Sequence, residues 1–126
     1  MRQELDEKLC AKYPEIFANR HASMKDSAMC WGFECGDGWY NILDTLCFSI
    51  QNRIKHQKIP QVVAIQVKEK FGGLRFYYSG GDETVWGMAY MAEALSECTC
   101  EVCGSPGEQT HGGWIKTLCK KCKVDS

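Results

Sequence analysis

The 126-residue chain has no dominant charge, no long apolar run, no internal repeat and no recognisable catalytic signature. Lysine and arginine number 15 against 16 acidic residues, for a formal charge of −1 and a pI near 6.3. A surface that is one continuous polyanion footprint is therefore excluded, and any site for nucleotide or nucleic acid must be a local patch. No apolar stretch approaches the roughly 20 residues that span a bilayer, so no membrane role is expected. The lack of repeats and low-complexity tracts excludes a solenoid or a disordered tail. The segment Met1-Arg2-Gln3-Glu4-Leu5-Asp6-Glu7-Lys8 is charged and carries no apolar signal region. Together with an odd count of nine cysteines it points to a reducing cytoplasm rather than a secreted disulfide framework.

Signs of catalysis are also missing. The three histidines form no local signature with Cys30, Cys35, Cys47 or Cys98, so no Cys–His nucleophile is indicated. Cys30 and Cys35 with His21 or His56 make a weak second metal set, and buried free thiols are the expected state. Asp82-Glu83 reads as a helix start and Glu93 with Glu97 as an exposed helical pair. The reading leans away from an enzyme.

What is present is concentrated near the C-terminus. Cys100-Glu101-Val102-Cys103 and Cys119-Lys120-Lys121-Cys122 stand fifteen residues apart. Each CxxC turn places two thiolates on one side of a tight loop, and two such loops supply the tetrahedral sulfur set that Zn²⁺ accepts. Gly104 follows the first pair, where a positive φ lets the turn close. With all four positions taken by cysteine, none is left for water or substrate, so the expected metal is structural zinc held by Cys100, Cys103, Cys119 and Cys122.

With 44% hydrophobic and 25% charged residues, the remainder supports one compact α+β core over residues 1–97, with a zinc lobe over 98–126 packed on it. Leu5 and Leu9 predict a short helix from Arg2 to Lys12, ending before Pro14. Residues 21–38 lose periodicity but carry glycines and aromatics, as an ordered loop does. Asp37 is the expected N-cap of the strongest helix, whose apolar positions Trp39, Ile42, Leu43, Leu46, Cys47, Ile50 and Ile54 follow the 3.6-residue period.

Val62 to Tyr78 alternates with period two around Gly72-Gly73, which predicts an antiparallel hairpin turning at those glycines. In that register Lys70 faces Arg75, Lys68 faces Tyr77 and Val67 faces Tyr78. One face carries Val63, Ile65, Val67, Phe71, Leu74, Phe76 and Tyr78, and the other Gln66, Lys68, Lys70, Arg75 and Tyr77. A second helix is predicted over 83–97 with Asp82 as cap, then a strand over Trp114–Leu118 inside a zinc-ribbon or treble-clef-like lobe.

The basic hairpin face is the leading ligand-site candidate. Like charges opposite each other destabilise a ladder, which an anionic partner would relieve. Lys68, Lys70 and Arg75 suit phosphate, and Tyr77 offers a hydroxyl or a stacking ring. A solvated outer face balanced by acidic neighbours such as Glu69 is the plain alternative. Cys35-Gly36-Asp37-Gly38-Trp39 is the second candidate: glycines let backbone N–H groups approach a ligand at a helix start, and Asp37 suits a ribose hydroxyl or base edge. Trp39 is equally the first core residue of the helix.

The three motifs Cys35-Gly36-Asp37-Gly38-Trp39, Val67 through Tyr77 and Cys100-Glu101-Val102-Cys103-Gly104, in that order, resemble a family of small uncharacterised phage and prophage proteins. The likeness covers about residues 30 to 122. The family's final ligand is often a His where this chain has Cys122, and either ligates zinc. The resemblance implies a viral or mobile-element origin in a bacterial cytoplasm and a zinc lobe. The expectation drawn from all of this is a non-enzymatic binder of an anionic partner, a nucleotide ahead of an acidic host macromolecule, inhibiting host defence or signalling. A nucleic-acid-binding zinc protein using Lys116, Lys120, Lys121 and Lys123, a protein adaptor, and a nucleotide-processing enzyme with Asp37 or a histidine as general base are the alternatives.

Overall fold

The computed structural model describes residues 1–125; residue 126, the last of the predicted lobe, lies outside the described residues. Helix α1 (Gln3–Lys12) forms where the leucine spacing placed it and buries Leu9 and Asp6. Arg20 Nε donates to both Asp6 oxygens at 3.0 and 3.3 Å, and Arg20 Nη1 donates to Cys30 O at 2.9 Å. A half-buried ion pair is stable only when its remaining groups are also bonded, and these bonds are what order the aperiodic stretch after α1. Gly32, at φ +76°, sits against the pair, where a Cβ would stand 2.6 Å from Asp6 Oδ2.

Strand β1 (Phe33–Glu34) follows, and then α2 (Tyr40–Gln57), which begins later than expected. Asp37 is not its N-cap: it opens a 3₁₀ turn, Asp37–Trp39, that leads into the helix. Trp39 N, a donor that a capping carboxylate at Asp37 would accept, bonds to Gly36 O at 3.3 Å instead. Asp37 Oδ1 instead accepts from Arg2 N at 2.8 Å. Along α2, Leu43, Leu46, Cys47 and Ile50 are buried, as their period requires.

β2 (Val63–Lys70) and β3 (Gly73–Ser79) form the hairpin, but the turn is Phe71-Gly72 and not Gly72-Gly73. Phe71 and Gly72 have φ +53° and +81°, both positive, as in a type I′ turn. Two anchors fix it there: Glu69 Oε2 accepts from Gly72 N at 2.8 Å, and Gly72 O accepts the Thr117 hydroxyl at 2.6 Å. The register becomes Lys70 with Gly73, Lys68 with Arg75, Val67 with Phe76 and Gln66 with Tyr77. Moving the turn by one residue changes every partner yet leaves each side chain on its face, because the pleat repeats every two residues. A bulge between Ala64 and Gln66 then shifts the phase, so Ala64 is buried while Ile65, expected inside, is exposed. Phe71, also expected on the inner face, projects from the turn into solvent.

β1 pairs with β2 in parallel, so the sheet is mixed, in the order β1-β2-β3, rather than antiparallel throughout. The connection from β1 to β2 runs through α2, a crossover of the kind parallel neighbours need. α3 (Glu83–Ser96) starts at the expected cap, Asp82, whose Oδ1 accepts from Val85 N at 3.1 Å while Arg53 forks onto the carboxylate. α3 also closes the open edge of β3: Ser96 Oγ accepts from Leu74 N at 2.8 Å and Glu93 Oε2 from Phe76 N at 3.0 Å. An edge whose donors are occupied does not recruit another strand. The core under this layer joins Trp39, Leu43, Ile50, Val62, Val67, Leu74, Phe76 and Val85 to Leu9, Ile16 and Met29.

The C-terminal segment holds β4 (Glu108–Gln109), antiparallel to β5 (Thr117–Leu118), and α4 (Lys120–Asp125). The strand expected over Trp114–Leu118 is only its last two residues. Thr110 Oγ1 donates to Trp114 O at 3.3 Å and accepts from Lys116 N at 3.0 Å, so a side chain takes bonds that a longer ladder would use.

Candidate metal centre and the cleft beside it

The first cysteine pair lies in a backbone knuckle. Gly104, at φ +84°, turns the chain so that its N–H donates to Cys100 O at 2.9 Å, which is the role the sequence suggested for it. The second pair starts at the N-terminal end of α4, where Cys122 N donates to Cys119 Sγ at 3.4 Å. Between them the β4–β5 pair brings the two turns together. All four sulfurs, of Cys100, Cys103, Cys119 and Cys122, lie within 4.8 Å of one another, and Cys103 Sγ is 3.7 Å from Cys119 Sγ. Four sulfurs about 2.3 Å from a common Zn²⁺ would be about 3.8 Å apart at tetrahedral angles. Among the described residues no cysteine is in a disulfide. The cluster can hold a metal ion.

Its electrostatics suit a cation. Hydrogen bonds from the side chain and backbone of Ser105 pull the Cys103 thiol down to about 6. Burial opposes ionisation of Cys100, but backbone N–H groups of Cys119, Cys103 and Val102 outweigh it and bring that thiol below its ordinary value. Cys122 is pushed up to about 12, first by its contact with Cys119. Four thiolates at this spacing repel one another, so without a dication some must keep a proton; the N–H groups are already aimed at the sulfurs that a metal would polarise.

The glycine-rich loop serves this centre. Gly38 N donates to Glu101 O at 2.7 Å, Gly36 N to Glu101 Oε2 at 2.9 Å, and Trp39 Nε1 to Thr99 O at 2.9 Å. A Cβ on Gly36 would meet Glu101 O at 2.4 Å, and one on Gly38 would meet Cys100 O at 2.1 Å. The close approach read from these glycines is real, and what approaches is the metal knuckle itself. Trp39 is fully buried and presents no ring to a ligand; Asp37 is bonded to Arg2. Burial pushes the Glu101 carboxyl above its usual range, against the opposing bond from Gly36.

On the hairpin, Lys68, Lys70, Arg75 and Tyr77 share the outer face, with Lys68 directly across from Arg75. Part of this charge is balanced: Glu34 pairs in register beside Lys68, and the Glu97 carboxylate and Arg75 Nη1 both come within 3.3 Å of the point where a Gly73 Cβ would stand. Asp37 and Trp39 do not join the four in one pocket.

Two residues that sequence reasoning left out of the site stand at its edge. Phe71 is 66% exposed and Trp114 is 78% exposed. With Glu69, Lys70, Gly113 and Ile115 they line a cleft of about 400 Å³ between the hairpin tip and the lobe. The junction is held by the Thr117 hydroxyl on Gly72 O and by Gln109 Nε2 donating to Phe71 O at 3.4 Å. Lys70 Nζ lies 5.7 Å from the centre of the Phe71 ring. The signal was a large aromatic directly before Gly72-Gly73, but assigning the turn to the two glycines hid it. No family model, curated protein or solved structure matches the chain.

Proposed function

We propose that the protein is a zinc-stabilised, non-enzymatic binder whose site is the cleft between the hairpin tip and the metal lobe, and whose ligand is a nucleotide. The observation that carries this reading is Phe71. An L-residue in the left-handed region costs about 1–2 kcal/mol, and an Asn or Gly would occupy the first position of a type I′ turn without that penalty. Strain of this kind at an exposed aromatic is accounted for when the ring has a task. Facing Trp114 across the cleft, Phe71 forms one wall for a flat base, while Lys70, with Lys68 and Arg75 farther along the same face, receives phosphate.

In this reading the metal is structural zinc and the lobe a treble-clef type. A knuckle, a short hairpin and a helix that begins at the second pair support that type over a ribbon. The zinc holds Trp114 and Thr117 in place against the turn. A ligand trap of this form fits a phage-encoded inhibitor of host nucleotide signalling, as the family resemblance suggested.

The second reading is single-stranded nucleic acid, taken up along the hairpin tip and Lys116, which adjoins the Thr117 bonded to Gly72 O. The test titrates mono- and cyclic nucleotides and short single-stranded oligonucleotides, following tryptophan fluorescence, with Trp114→Phe identifying the part of the signal that belongs to the cleft. Saturable quenching by a nucleotide, lost in Phe71→Asn and in Lys70→Glu with zinc content unchanged, is expected. Binding by oligonucleotides alone, weakening steeply with salt, would shift the assignment to nucleic acid. Binding unaffected by either substitution would remove the cleft from consideration.

A further inference from the structure

The outer surface of α3 is as apolar as its buried one. Val85, Ala89 and Ala92 face the core, yet Trp86 and Tyr90 on one flank and Met91 and Leu95 on the other are 49 to 65% exposed. The Trp86 and Tyr90 rings stack on each other at 5.5 Å in the open. Beside them, Ile42, Thr45, Leu46 and Ser49 of α2 and Gly87, Met88, Met91 and Leu95 of α3 line an apolar groove of about 540 Å³. A helix that is hydrophobic all round is one whose second face is also covered.

We infer that this face is covered by a second copy of the chain, in a two-fold dimer that packs α2 and α3 against their mates. Four features on this face fix the occupant. The groove has no ionisable residue in its lining, so a symmetric copy brings no charge against its like, whereas a charged partner helix would leave its own charges unanswered. The face also carries both halves of a self-complementary joint: α3 is a ridge and the α2–α3 groove runs alongside it, so each copy's ridge seats in the other's groove. A Cβ at Gly87 would meet nothing within 4 Å, which leaves room for the backbone of an incoming helix. Finally, the area suffices. With aromatic side chains offering about 150–250 Å² each, the exposed parts of Trp86, Tyr90, Met91 and Leu95 present about 500 Å², more than half of the roughly 800 Å² per partner in a standard interface. Glu83 and Glu97 are exposed at the ends of the ridge, where water reaches them.

Sedimentation equilibrium of the zinc-loaded chain measures this directly. A mass twice the 14.3 kDa of the chain is expected at about 100 µM, a concentration at which even a micromolar dimer is populated. Met91→Asp places a charge in the joint of each copy and should weaken the dimer at least 100-fold, leaving a monomer with unchanged circular dichroism and zinc content; Tyr90→Glu at a second exposed position should do the same. A wild-type chain that stays monomeric overturns the inference, whether or not some other protein binds this face. A dimer that survives both folded variants overturns it too, because its contact then lies elsewhere.

Discussion

Replacing Gly38 by alanine tests whether the glycine-rich loop is the seat of the metal knuckle. The new methyl would stand 2.1 Å from Cys100 O and 2.6 Å from the Glu101 carbonyl carbon. Both are backbone atoms of a turn held by cysteine ligands, so neither can swing aside as a flexible side chain would. The loop must lift off, with loss of the bonds Gly38 N to Glu101 O, Gly36 N to Glu101 Oε2 and Trp39 Nε1 to Thr99 O. Two neutral bonds at about 1 kcal/mol each and one to a carboxylate at about 2 give a loss of about 4 kcal/mol. That is a large part of the roughly 5–15 kcal/mol that holds a domain together. At about 2 kcal/mol per molar urea, typical of a small protein, the midpoint should fall by about 2 M. Tryptophan fluorescence reports the transition, and metal analysis in parallel should find the same metal content as wild type, because none of the four sulfurs is touched. A variant within about 0.5 kcal/mol of wild type, the range of an ordinary surface change, would refute the docking argument.

Chelation should go further than Gly38→Ala. Structural zinc contributes about 10–16 kcal/mol in finger peptides, so a strong chelator is expected to unfold at least residues 98–125, seen as loss of near-ultraviolet dichroism that returns with added zinc. Phe71→Asn should raise stability by about 1 kcal/mol as it abolishes nucleotide quenching, since it installs the favoured Asn-Gly turn; urea melts and titration on one sample check both. Tyr13→Phe removes the hydroxyl that donates to Asp44 at 2.6 Å and should cost about 1–2 kcal/mol at neutral pH. Burial alone would raise the Asp44 carboxyl, but the Lys12 and Tyr13 bonds outweigh it and hold it below its usual 3.8. The stability it contributes is therefore present above that value and lost as pH falls through the lower folded one, so the Tyr13→Phe deficit should shrink below about pH 4. Native alkylation of the zinc-loaded chain should modify exposed Cys98 and spare Cys35, whose thiol burial pushes up to about 12, and Cys47, pushed higher still by burial; peptide mass mapping reads the order.

The elements that were legible in the sequence are those whose cause is local. A CxxC turn brings its two sulfurs together within four residues, so Cys100, Cys103, Cys119 and Cys122 could be read as one set before any fold was known. The 3.6-residue period fixed the buried side of α2, and Asp82 marked the start of α3 because an N-cap needs only its own next turn. The hairpin shows where such reasoning runs out. A period-two pattern cannot tell registers that differ by two residues, so the basic outer face of Lys68, Lys70, Arg75 and Tyr77 was assigned correctly while Lys70 was given the wrong partner. What decided the register was Glu69 on Gly72 N, with Thr117, forty-five residues away, on Gly72 O. The loop at Gly36 and Gly38 makes the same point from the other side. Glycine declares that something comes close, and the declaration was right, but the sequence does not say what. An approaching phosphate and an approaching backbone carbonyl ask for the same missing Cβ and the same free N–H. Here Glu101, sixty-three residues beyond Gly38, supplies both the carbonyl and the carboxylate. Once those donors are used, the capacity to hold an outside ligand passes to Phe71, Lys70 and Trp114, whose rings and charge remain open to solvent.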